Sequence, residues 1–331
     1  MKVSLMHGAG GEVMGELLKT LTKFRNNNAG GIGLEALDDG AVIPFCGKNL
    51  VFTTDSHVVR PIFFPGGDIG RIAVSGTVND LAMMGAQPIA LSCGMIIEEG
   101  FEIDDLARIV ASMDEALGEA GASMVTGDTK VMERGALDGI AINTAGIGVA
   151  KTVVRDNGLR PGDAIIVSGT LGDHGIAIMA HREGFDLGEQ IRSDVAPLNG
   201  LMEKALSAGT IHAAKDPTRG GFASAINEMA RKSRVSVRIR ETDLPVKKSV
   251  RSAAGMLGID PLEVANEGKI VMGVPAPDAE AVLSALHSHH YGRDAAIVGT
   301  VLAGSHVIME TAVGGERFIE PPMGDPVPRV C

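Results

Sequence analysis

Apolar residues in the first half of the chain recur at two spacings, one typical of helices and one of strands. Helical spacing predicts a helix over 103–120 that ends at Gly121, and another over 69–84 with Asp68 as its N-cap. Short apolar runs predict strands at 50–54, 88–97, 122–129 and 139–150. The first half is therefore expected to combine a sheet with helices.

A polar stretch with the turn pairs Asn157-Gly158 and Pro161-Gly162 predicts a domain boundary near residues 151–162. The same alternation of elements then repeats. Strands are predicted at 163–169, 235–241, 266–276, 295–302 and 306–311. Helices are predicted at 196–207, 222–233 and 277–288, with a further helix opening within 169–181. The pattern predicts a mixed α/β protein with two domains, 1–152 and 153–317.

Residues 318–331 differ from the rest because they contain four prolines and end at Cys331. Proline fixes φ and lacks a backbone donor, so this segment is predicted to be neither a helix nor a central strand. We expect a flexible tail. Fully extended, at about 3.1 Å per residue, such a tail spans roughly 30 to 40 Å.

Charge and composition exclude several classes of function. With 30 Lys and Arg against 41 Asp and Glu, the net charge of −11 argues against nucleic-acid binding. Three dispersed cysteines form no disulfide or CxxC metal pattern, and Cys46 and Cys93 are predicted to be core residues. Because we find neither a signal peptide nor an apolar run of membrane-spanning length, a cytoplasmic protein without a membrane segment is expected.

Acidic residues stand at the ends of apolar runs, where a carboxylate is costly unless positive charge meets it. Mg²⁺ with a polyphosphate is a natural partner, since Mg²⁺ takes one or two carboxylates and keeps several waters. A turn or a helix cap remains the better interpretation for any single aspartate, but the set favours metal–nucleotide binding. The set comprises Asp38, Asp39, Asp55, Asp80, Asp128 and Asp216.

Three further positions offer candidate chemistry. Asn79 and Asp80 interrupt an apolar helix, where a buried aspartate needs a partner or a metal. Lys130, two residues after Asp128, is suited to a phosphate or a developing anion, although a solvated surface lysine is equally consistent. Glu267 precedes an apolar strand and is either a general base or an exposed loop acid.

Cys331 is the last residue of the chain, where a free thiol invites oxidation and contributes little to packing. A nucleophile at the end of a long arm has a wide reach. Arg329 favours the thiolate, whereas the adjacent terminal carboxylate opposes it. The alternative is an incidental cysteine on a disordered tail.

Taken together, these segments resemble the HypE family of carbamoyl dehydratases, which act in nickel–iron hydrogenase maturation. The acid-rich segments alone indicate the wider aminoimidazole ribonucleotide synthetase-like superfamily, and the terminal Pro-Arg-Val-Cys selects HypE. The resemblance spans essentially the whole chain. It is carried by HGAGGEVMGELL, DDGAVI, TTDSHVVRPIFFPGGDIGRIAVSGTVNDLAMMGAQP, TGDTKV, KDPTRGG, ANEGK and PRVC.

The resemblance implies a PurM-like fold of two domains. Its N-terminal domain is a mixed sheet or half-barrel that forms a homodimer, and its C-terminal domain is an α/β lobe. ATP and Mg²⁺ are then bound between the domains near the dimer interface. The implied partners are the carbamoyltransferase HypF, which loads the terminal thiol, and the HypC–HypD scaffold, which receives the product. The implied reaction is ATP-dependent dehydration of the thiocarboxamide on Cys331 to a thiocyanate, the source of the cyanide ligand.

The resemblance also implies site residues. Cys331 is the predicted cargo carrier, and Lys130 and Glu267 are the predicted catalytic pair, with the choice of proton acceptor left open. The predicted metal and nucleotide ligands are Asp38, Asp55, Asp80 and Asp128, supported at the nucleotide by Asp39, Asn79 and Asp216. Two alternatives remain: another ATP-dependent enzyme of the superfamily, which phosphorylates an amide or a small phosphate ester, and a non-catalytic nucleotide-binding scaffold.

Overall fold

The structure is a computed structural model that describes residues 3, 11–185, 191–322, 324, 327 and 329–331. Residues 7–10, from the N-terminal motif, lie outside this description. The helices are α1 Gly11–Leu21, α2 Ile69–Met83, α3 Ile103–Ala120, α4 Asp173–Arg182, α5 Asn199–Ala208, α6 Gly221–Ser233, α7 Lys248–Leu257 and α8 Ala279–His287. None of the helices in the described ranges is both long enough and apolar enough to cross a membrane.

Strands form two main sheets and one short hairpin, β3–β4. The N-terminal strands are β1 Ala41–Phe45, β2 Lys48–His57, β3 Phe63–Phe64, β4 Gly67–Asp68, β5 Ala86–Glu98, β6 Ser123–Met132 and β7 Ile140–Ala150. The C-terminal strands are β8 Asp163–Val167, β9 Ala213–Lys215, β10 Ser236–Arg240, β11 Val271–Pro275, β12 Ala296–Leu302, β13 Val307–Glu310 and β14 Glu316–Phe318.

The N-terminal sheet has the strand order β1-β2-β7-β5-β6, with β5 and β6 parallel and the other pairs antiparallel. Helix α2 packs on one face of this sheet and begins as predicted, because the Asp68 carboxylate accepts hydrogen bonds from the amides of Gly70 (2.8 Å) and Arg71 (3.0 Å). Helix α3 ends at Gly121 in the left-handed region (φ 65°), also as predicted.

Helix α2 is buried on nearly all sides, as expected of a helix that lies between two layers. It contacts the N-terminal sheet through β2, β5 and β7 and the C-terminal domain through α5 and β9. Polar residues on this helix are consequently held at the junction of the two domains.

The C-terminal sheet has the order β14-β13-β10-β12-β8-β11-β9 and carries a core on each face. Successive side chains of the central strand β8 point alternately into the two cores. Ile165 and Val167 pack with residues of α6, and Ala164 and Ile166 pack with residues of α5 and α8. The predicted mixed α/β class is confirmed.

Two local predictions need correction. The strand expected over 266–276 begins only at Val271. The residues before it form a loop, because the Asn266 side chain accepts a hydrogen bond from the Gly172 amide (2.8 Å) and donates one to the Pro217 carbonyl (3.2 Å). The core position predicted for Cys46 is wrong. Cys46 lies exposed in the two-residue turn of the β1–β2 hairpin, whereas Cys93 is buried as predicted.

Candidate active site

Three aspartates from different parts of the fold meet at the domain junction. Asp39 precedes β1, Asp80 lies on α2 and Asp216 follows β9. One carboxylate oxygen from each lies within 4.8 Å of the others. The Thr53 hydroxyl on β2 donates to Asp80 Oδ2 at 2.8 Å and fixes its orientation. We call these three residues the acidic triplet.

Burial and electrostatic repulsion both act on the acidic triplet. Burial, followed by the charges of Asp216 and Asp55, raises the pKa of Asp80 well above its usual range. Burial and the charge of Asp39 raise the pKa of Asp216 to about 7. Lys215 supplies one compensating charge, with Nζ 2.5 Å from Asp39 Oδ1. Oxygen ligands at this spacing, with surplus negative charge, fit a hard divalent cation such as Mg²⁺.

Asp55 and His57, at the end of β2, border the acidic triplet. The His57 side chain is only 1% exposed, and Asp55 Oδ2 lies 3.6 Å from its Nε2. Burial lowers the pKa of His57, so the imidazole is neutral. Among the described residues, neither ring nitrogen has a hydrogen-bond partner. An unsatisfied buried imidazole is costly and marks this as a site built to receive a polar group.

Glu267 lies in the loop before β11, where it is 3% exposed. Burial, with added repulsion from Asp55 and Asp216, raises the pKa of Glu267 well above its usual range, while Arg219 opposes the shift. Its Oε1 has no hydrogen-bond partner within the described ranges. The site therefore holds a carboxyl group that can gain or lose a proton within the field of the Arg219 guanidinium.

The end of the chain docks beside these groups. The Val58 amide, directly after β2, donates to a main-chain oxygen of Cys331 at 3.2 Å, and the Arg60 amide donates to the Arg329 carbonyl at 3.1 Å. Val330 is 2% exposed within the hydrophobic core. Burial acts to lower the pKa of Arg219, but the negative charge of Cys331, followed by that of Asp55, raises it overall. Cys331 thus lies within electrostatic reach of Arg219.

Not every predicted ligand joins the acidic triplet. Asp38 instead pairs with Arg155, whose Nε lies 2.6 Å from Asp38 Oδ2. Burial, followed by the nearby Asp38 carboxyl group, raises the pKa of Asp156 to about 8. Lys232 completes this network, with Nζ 2.5 Å from Asp156 Oδ2. Asp38 therefore anchors the boundary segment, while its neighbour Asp39 faces the other aspartates.

The side-chain amide of Asn79 forms hydrogen bonds to backbone groups. Its Nδ2 donates to the carbonyls of Ala196 (3.1 Å) and Glu267 (3.2 Å), and its Oδ1 accepts from the Leu198 amide (2.8 Å). These bonds tie α2 to two loops of the C-terminal domain, including the loop that carries Glu267.

Asp128 points away from Asp55 across the N-terminal sheet. Asp55 lies opposite Thr144 and Thr144 lies opposite Cys93, which in turn lies opposite Gly127. Side chains of residues directly opposite share a face, and successive residues alternate, so Asp128 projects from the other face. The structure does not bring Asp128 to the acidic triplet within one chain.

Lys130 follows Asp128 on the same edge strand, β6. The two residues pair with each other, with Lys130 Nζ 3.1 Å from Asp128 Oδ2, and both side chains are at least 70% exposed. Glu267 and Lys130, the predicted catalytic pair, therefore occupy different surroundings.

Sequence reasoning missed four basic side chains of the site, the neutral imidazole of His57 and the cations of Arg155, Lys215 and Arg219. Each stands within one to three residues of a predicted aspartate or in the turn-rich domain boundary. Lys215 directly precedes Asp216, and Arg219 lies in the same loop. The signal available was the proximity of a cation to each acid, since buried carboxylates need compensating charge.

Family models match both domains. The N-terminal domain of AIR synthase related proteins matches residues 37–150, and the C-terminal domain matches residues 160–311. The chain thus has the two-domain, PurM-like architecture of that class.

Individual proteins narrow the class. A putative hydrogenase expression/formation protein of Methanocaldococcus jannaschii is 53% identical, covering 100% of both chains. The carbamoyl dehydratase HypE of Rhizobium leguminosarum bv. viciae is 47% identical, covering 100% of this chain and 95% of the other. The chain belongs to the HypE family.

Solved structures agree with this assignment. The crystal structure of a HypE–HypF complex contains a chain that is 45% identical, with a TM-score of 0.87 over 94% of this chain and 100% of the other. The crystal structure of a hydrogenase maturation protein HypE in complex with ATP is 43% identical, with a TM-score of 0.84 over 100% of both chains.

The substitution Asn79→Ala tests whether this amide has a structural role. It leaves the Ala196 carbonyl and the Leu198 amide without partners and removes one of the two bonds to the Glu267 carbonyl, so we expect a loss of about 3 kcal/mol in the free energy of unfolding, measured in urea. Asn199→Ala is the matched control, because it removes a single bond to the Ala120 carbonyl (2.9 Å) and should cost about 1 kcal/mol. Unchanged stability with weaker nucleotide binding would instead support the ligand role predicted for Asn79.

Proposed function

We propose that the chain is an ATP-dependent carbamoyl dehydratase that supplies the cyanide ligand of nickel–iron hydrogenase and acts on its own C-terminal cysteine. The observation that carries this proposal is the position of Cys331. The Val58 amide donates to a main-chain oxygen of Cys331 at 3.2 Å, and the Arg219 charge is nearby. The names of the similar proteins from Rhizobium leguminosarum and of the ATP complex support the same activity.

The reaction removes water from a thiocarboxamide. The amide oxygen is a poor leaving group, and accepting the γ-phosphoryl group of ATP converts it to phosphate. The C–O bond then breaks as the remaining N–H protons leave nitrogen, giving the thiocyanate, ADP and phosphate. Such a step needs a proton acceptor near nitrogen and positive charge near the departing phosphate. Glu267 is our candidate acceptor, and Arg219 is our candidate for the charge.

The acidic triplet fits Mg²⁺ better than the four ligands first predicted. Asp39, Asp80 and Asp216 offer converging oxygens, and Asp55 adds charge at their border. Bound there, Mg²⁺ would neutralise the phosphates of the nucleotide. Asp38 is not a ligand in this arrangement. Its pairing with Arg155 instead positions the neighbouring residue, Asp39.

Partners follow from what the cargo requires. The carbamoyl group must be loaded onto the thiol, and the HypE–HypF complex supports a HypF carbamoyltransferase as its donor. The product must then be handed to a carrier of the iron, for which the HypC–HypD scaffold is our proposal. This exchange between maturation proteins would take place in the cytoplasm.

A homodimer accounts for the exposed face of the N-terminal sheet. Helix α2 covers the face that carries Asp55, whereas the opposite face exposes Phe52 (41%) and Ile96 (40%). Lys130 lies opposite Ile96 on this same face. We propose that a second copy covers it. Asp128 and Lys130 would then lie at the interface, where they could complete a site in the other subunit.

The first prediction of this proposal concerns the mass of the C-terminal peptide. With HypF, carbamoyl phosphate and ATP, we expect a gain of about 43 Da from carbamoylation, followed by a loss of about 18 Da from dehydration. Glu267→Gln should retain the first change and slow the second by roughly 100-fold or more, because it removes the proton acceptor. Lys130→Met is measured alongside it.

Cys331→Ser is the control, and it should show neither change because an alcohol replaces the thiolate. If ATP turnover with a soluble amide or phosphate ester persists in that variant, the chain is another enzyme of the superfamily. If no phosphate is released with a loaded tail, the chain is a nucleotide-binding scaffold.

The second prediction concerns the metal. Asp80→Asn should weaken Mg²⁺-dependent binding of a non-hydrolysable ATP analogue by roughly ten-fold or more in calorimetry, because an anionic ligand becomes a neutral amide. Asp114→Asn, an exposed acid on α3, should bind as the wild type does. Equal binding by both variants would contradict the assignment of the acidic triplet as the metal site.

The third prediction concerns assembly. Ile96→Glu places a charge on the exposed sheet face and should convert a dimer to a monomer in light scattering, because a charge without a partner is costly to bury. Val110→Glu is the matched control, since Val110 is 49% exposed on α3, away from that face. A dimer that survives Ile96→Glu would contradict this interface.

A further inference from the structure

The docked tail is held by both domains. From the N-terminal domain, the amides of Val58 and Arg60 donate to main-chain oxygens of Cys331 and Arg329. From α4 in the C-terminal domain, His174 bonds the Val330 carbonyl, with its Nε2 at 2.8 Å from the oxygen, and Arg182 bonds the Arg329 carbonyl. The tail therefore crosses the junction at which the acidic triplet also lies.

The hydrogen bonds of His174 define its role. Because a carbonyl oxygen only accepts, Nε2 must carry the proton that is donated to Val330. The other nitrogen, Nδ1, lies 2.7 Å from Ser193 Oγ, and the Ser193 hydroxyl is its donor. That hydroxyl in turn accepts from the Val195 amide at 3.1 Å. With 0% exposure and an edge-on contact to the Phe64 ring at 5.5 Å, the imidazole is held in one orientation.

The same hydrogen-bonded segment reaches Glu267. Asp194, the residue after Ser193, accepts a hydrogen bond from the Glu267 amide at 3.1 Å. It also pairs with Lys269 at 2.8 Å, with both side chains less than 10% exposed. A buried, charge-assisted contact of this kind is rigid. The position of the tail is thus linked through His174, Ser193 and Asp194 to the backbone of Glu267.

The side-chain ion pair of the tail contributes little to holding it. Arg329 pairs with Asp138 at 2.7 Å, but these side chains are 35% and 55% exposed, and exposed ion pairs contribute little. The buried carbonyl of Val330, in contrast, needs a hydrogen-bond donor, because leaving it unsatisfied costs the full desolvation penalty. His174 is that donor.

We propose that His174 is a positioning residue that latches the C-terminal tail in the site and sets the depth of Cys331 relative to Glu267. The proposal rests on the proposed function, in which the tail must leave the site for loading and delivery and return for dehydration. His174 itself touches neither the cargo nor the nucleotide. Its loss should shift the tail toward the undocked state.

Alkylation of Cys331 measures this shift without any carbamoyl chemistry. The unloaded full-length protein is treated with iodoacetamide, and the C-terminal peptide is quantified by mass spectrometry over time. Where opening and closing are fast, the alkylation rate follows the undocked population. Cys46 is exposed and serves as an internal reference for reagent activity, and Cys93 is buried and reports on unfolding.

His174→Phe keeps a ring in the core but leaves the Val330 carbonyl without a donor, and we expect Cys331 to react roughly ten-fold faster. His174→Gln is the matched variant, because its amide can donate from a similar position, and it should stay within about three-fold of the wild type. Ser193→Ala removes the support of the imidazole and should give an intermediate rate.

A second readout separates latching from general damage. In His174→Phe, loading by HypF should be unchanged or faster, while the single-turnover dehydration of the loaded thiol should slow by roughly ten-fold. A purely structural role would slow both steps. The rescue of dehydration by His174→Gln should parallel its alkylation rate.

Unchanged alkylation of Cys331 in His174→Phe, with Cys93 still protected, would overturn the latch. If His174→Phe unfolds, as shown by reactive Cys93, Ser193→Ala decides in its place, and a wild-type rate there overturns the proposal. Should Cys331 never accept a carbamoyl group, the proposed function fails, yet the alkylation rates still decide whether His174 holds the tail.

Discussion

The burial and mutual repulsion of clustered, largely enclosed carboxylates are the constraint on which this structure depends. Asp39, Asp80 and Asp216 converge within 4.8 Å, and the charge of Asp55 acts on two of them. Such a group is unstable in a protein interior unless protons or cations compensate it. Lys215 supplies only part of that charge. Under our proposal a divalent cation supplies the rest, which would make the free energy of folding and the binding of metal interdependent.

Because the three aspartates come from both domains, the junction has to be rigid before it can bind anything. Asn79 provides much of that rigidity, since its side chain joins α2 to the segments around Ala196 and Glu267. A buried amide with all its bonds made orients the surrounding loops more narrowly than apolar packing would. The carboxylate of the next residue, Asp80, is therefore presented from a fixed helix toward loops that are themselves fixed.

Much of the fold could be predicted from the sequence because its signals are local. The N-cap at Asp68, the end of α3 at Gly121 and the interrupted apolar pattern at Asp80 need only neighbouring residues. The face on which Asp128 lies could not be predicted, because it depends on the register of four strands and on a bulge between β5 and β6. The separation of Asp38 from Asp39 likewise depends on Arg155, which is 117 residues away in the chain.

The tail illustrates why a sequence can indicate chemistry without indicating position. Its prolines excluded a helix, and its terminal thiol suggested a carrier, but no periodicity could place it against α4. Docking of the tail needs buried apolar side chains, such as Val327 and Val330, and hydrogen-bond donors for the backbone carbonyls that are buried with them. A tail that must also leave cannot be held too strongly. A few hydrogen bonds around a small apolar anchor satisfy both demands, because a neutral bond is worth only about 1 kcal/mol net and a bond to a charged group about 1.5 to 3 kcal/mol.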